Sequence, residues 1–222
     1  MRIGLFGGSF NPVHLDHVRM AALVKSKLEL DKIVFILNAT PPHKDTVRLS
    51  YEHRLAMLSL AIEGYSSFEI SDIEKDATVN HYTYDTLRKL REFYGEDVGL
   101  FFIMGEDSLL YLDEWYHGLE LIDYANLVVT NRVGYEHSEI KPVIKAFIDK
   151  YGIDSEHAGG EQLSSALNHP CGACFLLNLP LHLVSSTAIR QDITADRKTN
   201  IESMLDKKVL KYIKEHHLYE QH

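Results

Sequence analysis

Apolar positions along the chain follow two rhythms. Short continuous apolar runs occur at 2–6 (Arg-Ile-Gly-Leu-Phe), 32–37 (Lys-Ile-Val-Phe-Ile-Leu), 99–104 (Gly-Leu-Phe-Phe-Ile-Met) and 126–130 (Asn-Leu-Val-Val-Thr). Runs of this length between turn residues predict strands buried on both faces. Residues 67–73, 174–178 and 181–184 read as further strands. Between the runs, apolar residues recur at helical spacing. This predicts helices over about 13–28 (Val18, Ala21, Ala22 and Leu28 inward), 50–62 with Ser50 as N-cap, 84–94, 138–151, 185 to about 192, and 206–217, with helical segments after 104 up to Tyr124. Paired prolines make Pro41-Pro42-His43-Lys44 a loop. From 152 to 173 the pattern fades into Gly, Ser, His and Asn, which reads as a surface excursion.

Strand and helix patterns alternate almost throughout. That order predicts an α/β fold with a mostly parallel sheet and helices on both faces. No internal repeat or convincing linker interrupts it, so residues 1–222 read as one domain. In an open parallel sheet, ligands bind beyond the carboxyl ends of the strands, at the point where the strand order reverses. Gly7 to His17, Asn38 to Lys44, Gly105 to Asp107, and Asn131-Arg132 all fall at predicted strand ends, which argues for one shared site.

Composition narrows the partner class. Asp and Glu number 32 against 23 Lys and Arg, a net charge of −9. Such a chain does not attract a long polyphosphate backbone, so nucleic acid is disfavoured as a partner, though a local nucleotide pocket is not. No apolar run reaches the ~18–20 residues that span a bilayer, no signal-peptide pattern opens the chain, and two cysteines are too few for a disulfide scaffold. The expected compartment is the cytoplasm, without a membrane partner; a homo-oligomer stays open.

The first chemical constellation is Gly7-Gly8-Ser9-Phe10-Asn11-Pro12-Val13-His14-Leu15-Asp16-His17. Glycines directly after a strand let backbone N–H groups approach a phosphate, and the positive end of the following helix points at the same place. Two histidines three residues apart share one face of the first turn, where they suit charge that builds up on phosphate oxygens. Gly-Gly alone would read as a tight turn, and neither a Walker A loop nor a three-glycine dinucleotide fingerprint fits. The second constellation is Val184-Ser185-Ser186-Thr187-Ala188-Ile189-Arg190. Ser185 or Ser186 caps a helix whose remaining N–H groups suit an anion, and Arg190 adds a planar cation. Alone, it reads equally well as an ordinary capped helix.

Together the two strings resemble the signatures Gly-Gly-(Ser/Thr)-Phe-(Asp/Asn)-Pro-x-His-x-x-His and (Ile/Val)-Ser-Ser-Thr-x-(Ile/Leu)-Arg of the nucleotidylyltransferase superfamily, and in particular of its bacterial nicotinate-nucleotide adenylyltransferases. Asp16 stands where that family usually has Gly. The resemblance continues through Tyr82-Thr83-Tyr84-Asp85-Thr86-Leu87, Gly105-Glu106-Asp107-Ser108-Leu109 with Trp115, Asn131-Arg132-Val133-Gly134-Tyr135, and the closing helix; it is weakest over 136–175. It implies a Rossmann-like nucleotidylyltransferase fold whose C-terminal part, about 185–222, forms a helical subregion on the ATP side. It implies adenylyl transfer from ATP to nicotinate mononucleotide in NAD biosynthesis, with Mg2+ held mainly by the ATP phosphates and no metal ligands from protein side chains. By the same resemblance His14 and His17 are catalytic. Gly7, Gly8, Ser9, Phe10, Ser186, Thr187 and Arg190 bind ATP. Asn38, Lys44, Thr83, Asp107, Trp115 and Arg132 bind the mononucleotide.

Bland readings stand beside some of these: a solvated loop lysine for Lys44, a core-edge aromatic for Trp115. The rival functions are the same chemistry on nicotinamide mononucleotide or phosphopantetheine, and a non-catalytic nucleotide-binding protein, which Asp16 alone favours. Cys171 and Cys174 have half-zinc-site spacing, with only His169 and His182 close enough in sequence to complete it. Metal or redox function there is discounted.

Overall fold

The structure, a computed structural model, describes residues 1–39, 49–132, 140–155, 157, 159–180, 184–195 and 197–220; for Asn131, Arg132, Lys198, Thr199 and Asn200 it describes the backbone alone. Seven strands form one sheet: β1 (Arg2–Gly8), β2 (Lys32–Leu37), β3 (Phe68–Ser71), β4 (Gly99–Gly105), β5 (Asn126–Arg132), β6 (Gly152–Asp154) and β7 (Cys174–Leu179). Their order is β3-β2-β1-β4-β5-β7-β6, and every pairing is parallel.

Pleating explains why the strands read as continuous apolar runs. Successive side chains point to opposite faces. Phe6, Phe35, Ile103 and Val128 enter one apolar cluster, while their neighbours Leu5, Val34, Phe102 and Val129 enter the other. The first cluster is covered by α1 (Leu15–Lys27), α2 (Tyr51–Ile62), α6 (Gly160–Leu167) and the C-terminal helices α7 (Ser186–Thr194), α8 (Lys198–Met204) and α9 (Lys207–Glu215). The second is covered by α3 (Thr83–Tyr94), α4 (Glu106–Leu110), the 3-10 turns Leu112–Glu114 and Gly118–Asp123, and α5 (Pro142–Tyr151).

Caps set several helix starts. Ser50 Oγ accepts from the His53 N–H, Ser185 Oγ from the Ala188 N–H, and Asp206 from the Lys208 N–H. Among the described residues no helix is long and apolar enough to cross a membrane.

Two expectations change. The excursion over 152–173 contains an edge strand, β6, and a helix, α6. Three residues carry too little periodicity to announce a strand; pairing of Ile153 with Phe175 makes it one. Helix α8 also arises where no pattern predicted it; Ile201 is its buried anchor. The strand expected at 181–184 lies largely outside the described residues. Cys174 begins β7, fully buried, and burial pushes its thiol up to about 12; both cysteines are free.

The chain steps outward from β1 through β2 to β3, then returns to place β4 on the other side of β1. The reversal leaves a crevice beyond the carboxyl ends of β1 and β4. The opposite, amino end of the sheet is closed by Arg91 from α3. Its guanidinium donates to the carbonyls of Tyr124 (2.8 Å), Gly95 (2.9 Å), Val98 (2.6 Å) and Pro170 (2.8 Å). Burial pulls its pKa down. Asn126 completes this end, donating to the His169 carbonyl and accepting from the Ala173 N–H. Because these acceptors lie far from the crevice, Arg91→Met should cost stability, about 3 kcal/mol or more, through carbonyls left unsatisfied, while ATP affinity of the folded fraction stays unchanged. Urea unfolding beside a binding titration checks both halves.

Candidate active site

The loop after β1 is held from three sides. Gly8 ends the strand; a Cβ there would lie 3.1 Å from the Phe10 ring, tighter than ordinary contact. Phe10 sits at φ 43°, a left-handed conformation that costs a non-glycine residue roughly 1–3 kcal/mol. Its ring fixes that turn, packing edge-on against Phe6 (5.5 Å), Phe35 (5.6 Å) and His17 (5.1 Å). The Phe10 side chain is therefore core, and what it offers a ligand is its backbone.

Asn11 and Pro12, joined by a cis peptide, are gripped by the C-terminal helices. Ser186 Oγ donates to the Pro12 carbonyl at 2.9 Å, and Arg190 Nη1 to the Asn11 carbonyl at 2.7 Å. Arg190 Nη2 also reaches Thr187 Oγ1 at 3.1 Å. From the chain terminus, Tyr219 Oη donates to Asn11 Oδ1 at 2.6 Å. The two sequence signatures therefore meet, with the N-terminal turn of α7 against the loop that leads into α1.

His14 is the N-cap of α1 and His17 its third residue. The His14 N–H donates to His17 Nδ1 at 3.2 Å, and the two rings stack at 3.6 Å. An Nδ1 that accepts from an amide carries no proton, so the neutral His17 ring bears its hydrogen on Nε2. Asp16, between them, does not point out to solvent: it is 4% exposed, with Oδ1 3.5 Å from Nη1 of Arg19.

On the other side of β1, Asn38 follows β2. Its N–H donates to the Gly8 carbonyl at 3.1 Å, and its side-chain Oδ1 is buried without a hydrogen-bond partner among the described residues. Beyond β4, the Asp107 carboxylate folds back over Gly105, where any Cβ would collide with it. Trp115 is half-buried against the second apolar cluster, so the core-edge reading and an exposed ring face coexist. Thr83 opens α3, whose neighbours Tyr82 and Tyr84 pack on Tyr116 at 4.6 and 5.9 Å. Behind that helix start, Thr86 Oγ1 donates to Glu74 Oε1 at 2.7 Å, and burial raises the Glu74 carboxyl. Arg132 ends β5; its side chain, like Lys44, lies outside what the structure describes.

Sequence reasoning missed the residue that ties these parts together. Arg54, on the buried face of α2, is 1% exposed. Nη1 donates to the carbonyls of Ser9 (3.0 Å) and Asn38 (2.7 Å), and Nη2 to that of Ala39 (2.9 Å). One guanidinium thus joins the loop after β1 to the end of β2. Burial pulls its pKa down, and among the described residues no carboxylate pairs with it. An arginine inside an apolar-patterned helix is the only signal the sequence carried. Arg54→Met should lose about 3–5 kcal/mol of stability and most activity. Arg54→Lys, a point charge that cannot fork to three carbonyls, should recover stability in part and activity less. Wild-type turnover in Arg54→Met would contradict this.

The cytidylyltransferase-like family matches residues 5–192. A probable nicotinate-nucleotide adenylyltransferase of Shewanella sp. (strain ANA-3) is 38% identical over 193 residues, 87% of this chain and 88% of that relative. One from Shewanella frigidimarina is 34% identical over 99% of this chain and 100% of its own length. Among solved structures, Plasmodium falciparum nicotinic acid mononucleotide adenylyltransferase complexed with NaAD superposes with a TM-score of 0.73 at 19% identity, covering 98% of this chain and 97% of that one, a likeness of fold. The chain belongs to the nicotinate-nucleotide adenylyltransferases of the cytidylyltransferase-like family.

Proposed function

We propose that this chain transfers the adenylyl group of ATP to nicotinate mononucleotide, releasing pyrophosphate and forming nicotinate adenine dinucleotide, a step of NAD biosynthesis. The observation that carries the reading is the meeting of two anion-suited helix starts, α1 and α7, at the crevice between β1 and β4, joined by the Ser186–Pro12 and Arg190–Asn11 hydrogen bonds.

An oxygen of the mononucleotide phosphate attacks the α-phosphorus of ATP. One O–P bond forms as the bond to the departing pyrophosphate breaks, so no side-chain nucleophile is needed. Catalysis is then positioning and charge stabilisation. The N–H groups of Gly8, Ser9 and Phe10 cradle phosphate, with Gly7 allowing the close approach. His14 and His17 face the α-phosphate, with His17 donating from Nε2. Ser186, Thr187 and Arg190 hold the pyrophosphate that leaves. Asn38, Lys44 and Arg132 orient the mononucleotide phosphate and ribose. Asp107 accepts from ribose hydroxyls, the start of α3 at Thr83 suits the nicotinate carboxylate, and Trp115 suits the flat ring. The donors around the loop are N–H groups, imidazoles and a guanidinium, which match phosphate oxygens. Mg2+ therefore belongs on the ATP phosphates, where it offsets negative charge during transfer.

Pyrophosphate release from ATP and Mg2+, with nicotinate mononucleotide, nicotinamide mononucleotide and phosphopantetheine as parallel acceptors, tests the reading. Strong release is expected with the nicotinate form. Preference for another acceptor would move the substrate, and silence with all three would overturn the chemistry. His17→Ala should cut turnover about 10²-fold or more with an unchanged melting temperature; near wild-type turnover would remove His17 from its role.

A further inference from the structure

Asp16 is the residue in the histidine turn whose chemistry the reaction leaves unused. It is 4% exposed, and Oδ2 has no hydrogen-bond partner among the described residues. Among the described residues its ion-pair partner is Arg19, 3.5 Å from Oδ1 and itself largely exposed. A carboxylate is acceptor only. The positive end of α1 offsets part of its charge, but a buried oxygen left without a donor is costly.

The helix fixes which way Asp16 faces. Met20, one turn later on the same side, receives the Thr130 Oγ1 contact at 3.6 Å, and Thr130 also donates to the Met104 carbonyl at 3.2 Å. The Asp16–Met20 side of α1 therefore lies over the carboxyl ends of β4 and β5. The His17 ring instead lies on the Phe6–Phe10 side. Phosphate oxygens repel a carboxylate and bring it no hydrogen. The donors on a nucleotide are its ribose hydroxyls and base amine. His14 and Asn11, in the same turn, are as buried as Asp16, at 3% each.

We propose that Asp16 recognises the nucleoside half of ATP, with Oδ2 accepting a hydrogen bond from a ribose hydroxyl or the base amine while the phosphates lie toward the histidines and the loop. The proposal rests on the reading of this site as an ATP site.

Calorimetric titration of the full chain with ATP and with inorganic tripolyphosphate, in EDTA and again with Mg2+, tests it. Asp16→Ala should weaken ATP about tenfold or more and leave tripolyphosphate unchanged or tighter, because a negative charge has been removed. Titration with 2′-deoxy-ATP, 3′-deoxy-ATP and inosine triphosphate identifies the donor. The analogue lacking it should bind wild type more weakly than ATP, and that difference should vanish in Asp16→Ala. Asp16→Gly, which removes both oxygens and places the residue usual in the family at this position, carries the same comparison should the alanine variant not fold. ATP and tripolyphosphate tightening alike would place Asp16 against phosphate and overturn the proposal. No change in either would leave Asp16 to the helix dipole alone, and a loss seen only with Mg2+ would make it a metal contact; both outcomes overturn the proposal. Wild type failing to bind ATP would instead overturn the reading of the site itself.

Discussion

The site depends on a buried guanidinium. A parallel sheet gathers all its carboxyl ends along one edge, where strands stop and their last carbonyls lose their ladder partners. At the crevice those ends are the carbonyls of Ser9, Asn38 and Ala39, and Arg54 takes all three. Only a planar fork with several N–H donors can serve acceptors from two strands at once. The fork thereby fixes the loop after β1 against the end of β2. It also places a positive charge beneath a region suited to anions. Arg91 does the corresponding work at the amino edge, with the carbonyls of Gly95 and Val98 between α3 and β4 and of Pro170 before β7. The sheet is thus closed at both ends by arginines that bind carbonyls rather than carboxylates.

Around Arg54 the site is built by reciprocal constraint. Phe10 is held in an unfavourable backbone conformation by its own ring in the core. The loop it turns is gripped from the far end of the chain by Ser186, Arg190 and Tyr219. The His17 ring is oriented by the His14 N–H and flanked by the His14 and Phe10 rings. Each element is ordinary alone; together they leave the two imidazoles one arrangement. This is the rigidity that catalysis by positioning requires. The C-terminal helices share one apolar cluster with α1 and α2, so the second signature is anchored by the same packing that forms the sheet.

Much of this was legible in the chain. Continuous apolar runs marked β1, β2, β4, β5 and β7, because a parallel strand is buried on both faces and needs no polar alternate. Ser50 and Ser185 marked helix starts, because a capping hydroxyl works through residues three positions away. Glycines at the end of β1, paired histidines and the Ser-Ser-Thr-x-x-Arg string carried phosphate chemistry, because that chemistry is written in local backbone freedom and charge. All of these are interactions between near neighbours in sequence.

Contacts between distant residues were decided only by the tertiary structure. Strand β6 exists because Ile153 meets Phe175, not because three residues prefer extension. Arg54 reads as a surface charge on α2 until the fold brings it under two strand ends. Tyr219 reads as part of a polar tail until its hydroxyl reaches Asn11. A carboxylate in a first helical turn already suits the helix dipole whichever way it faces, and only the packing of α1 over β4 and β5 turns Asp16 inward. Local pattern specifies which residues prefer helix, strand or turn, since those preferences depend on the nearest few positions. It does not specify which buried polar group meets which, since that depends on where the whole sheet puts its ends.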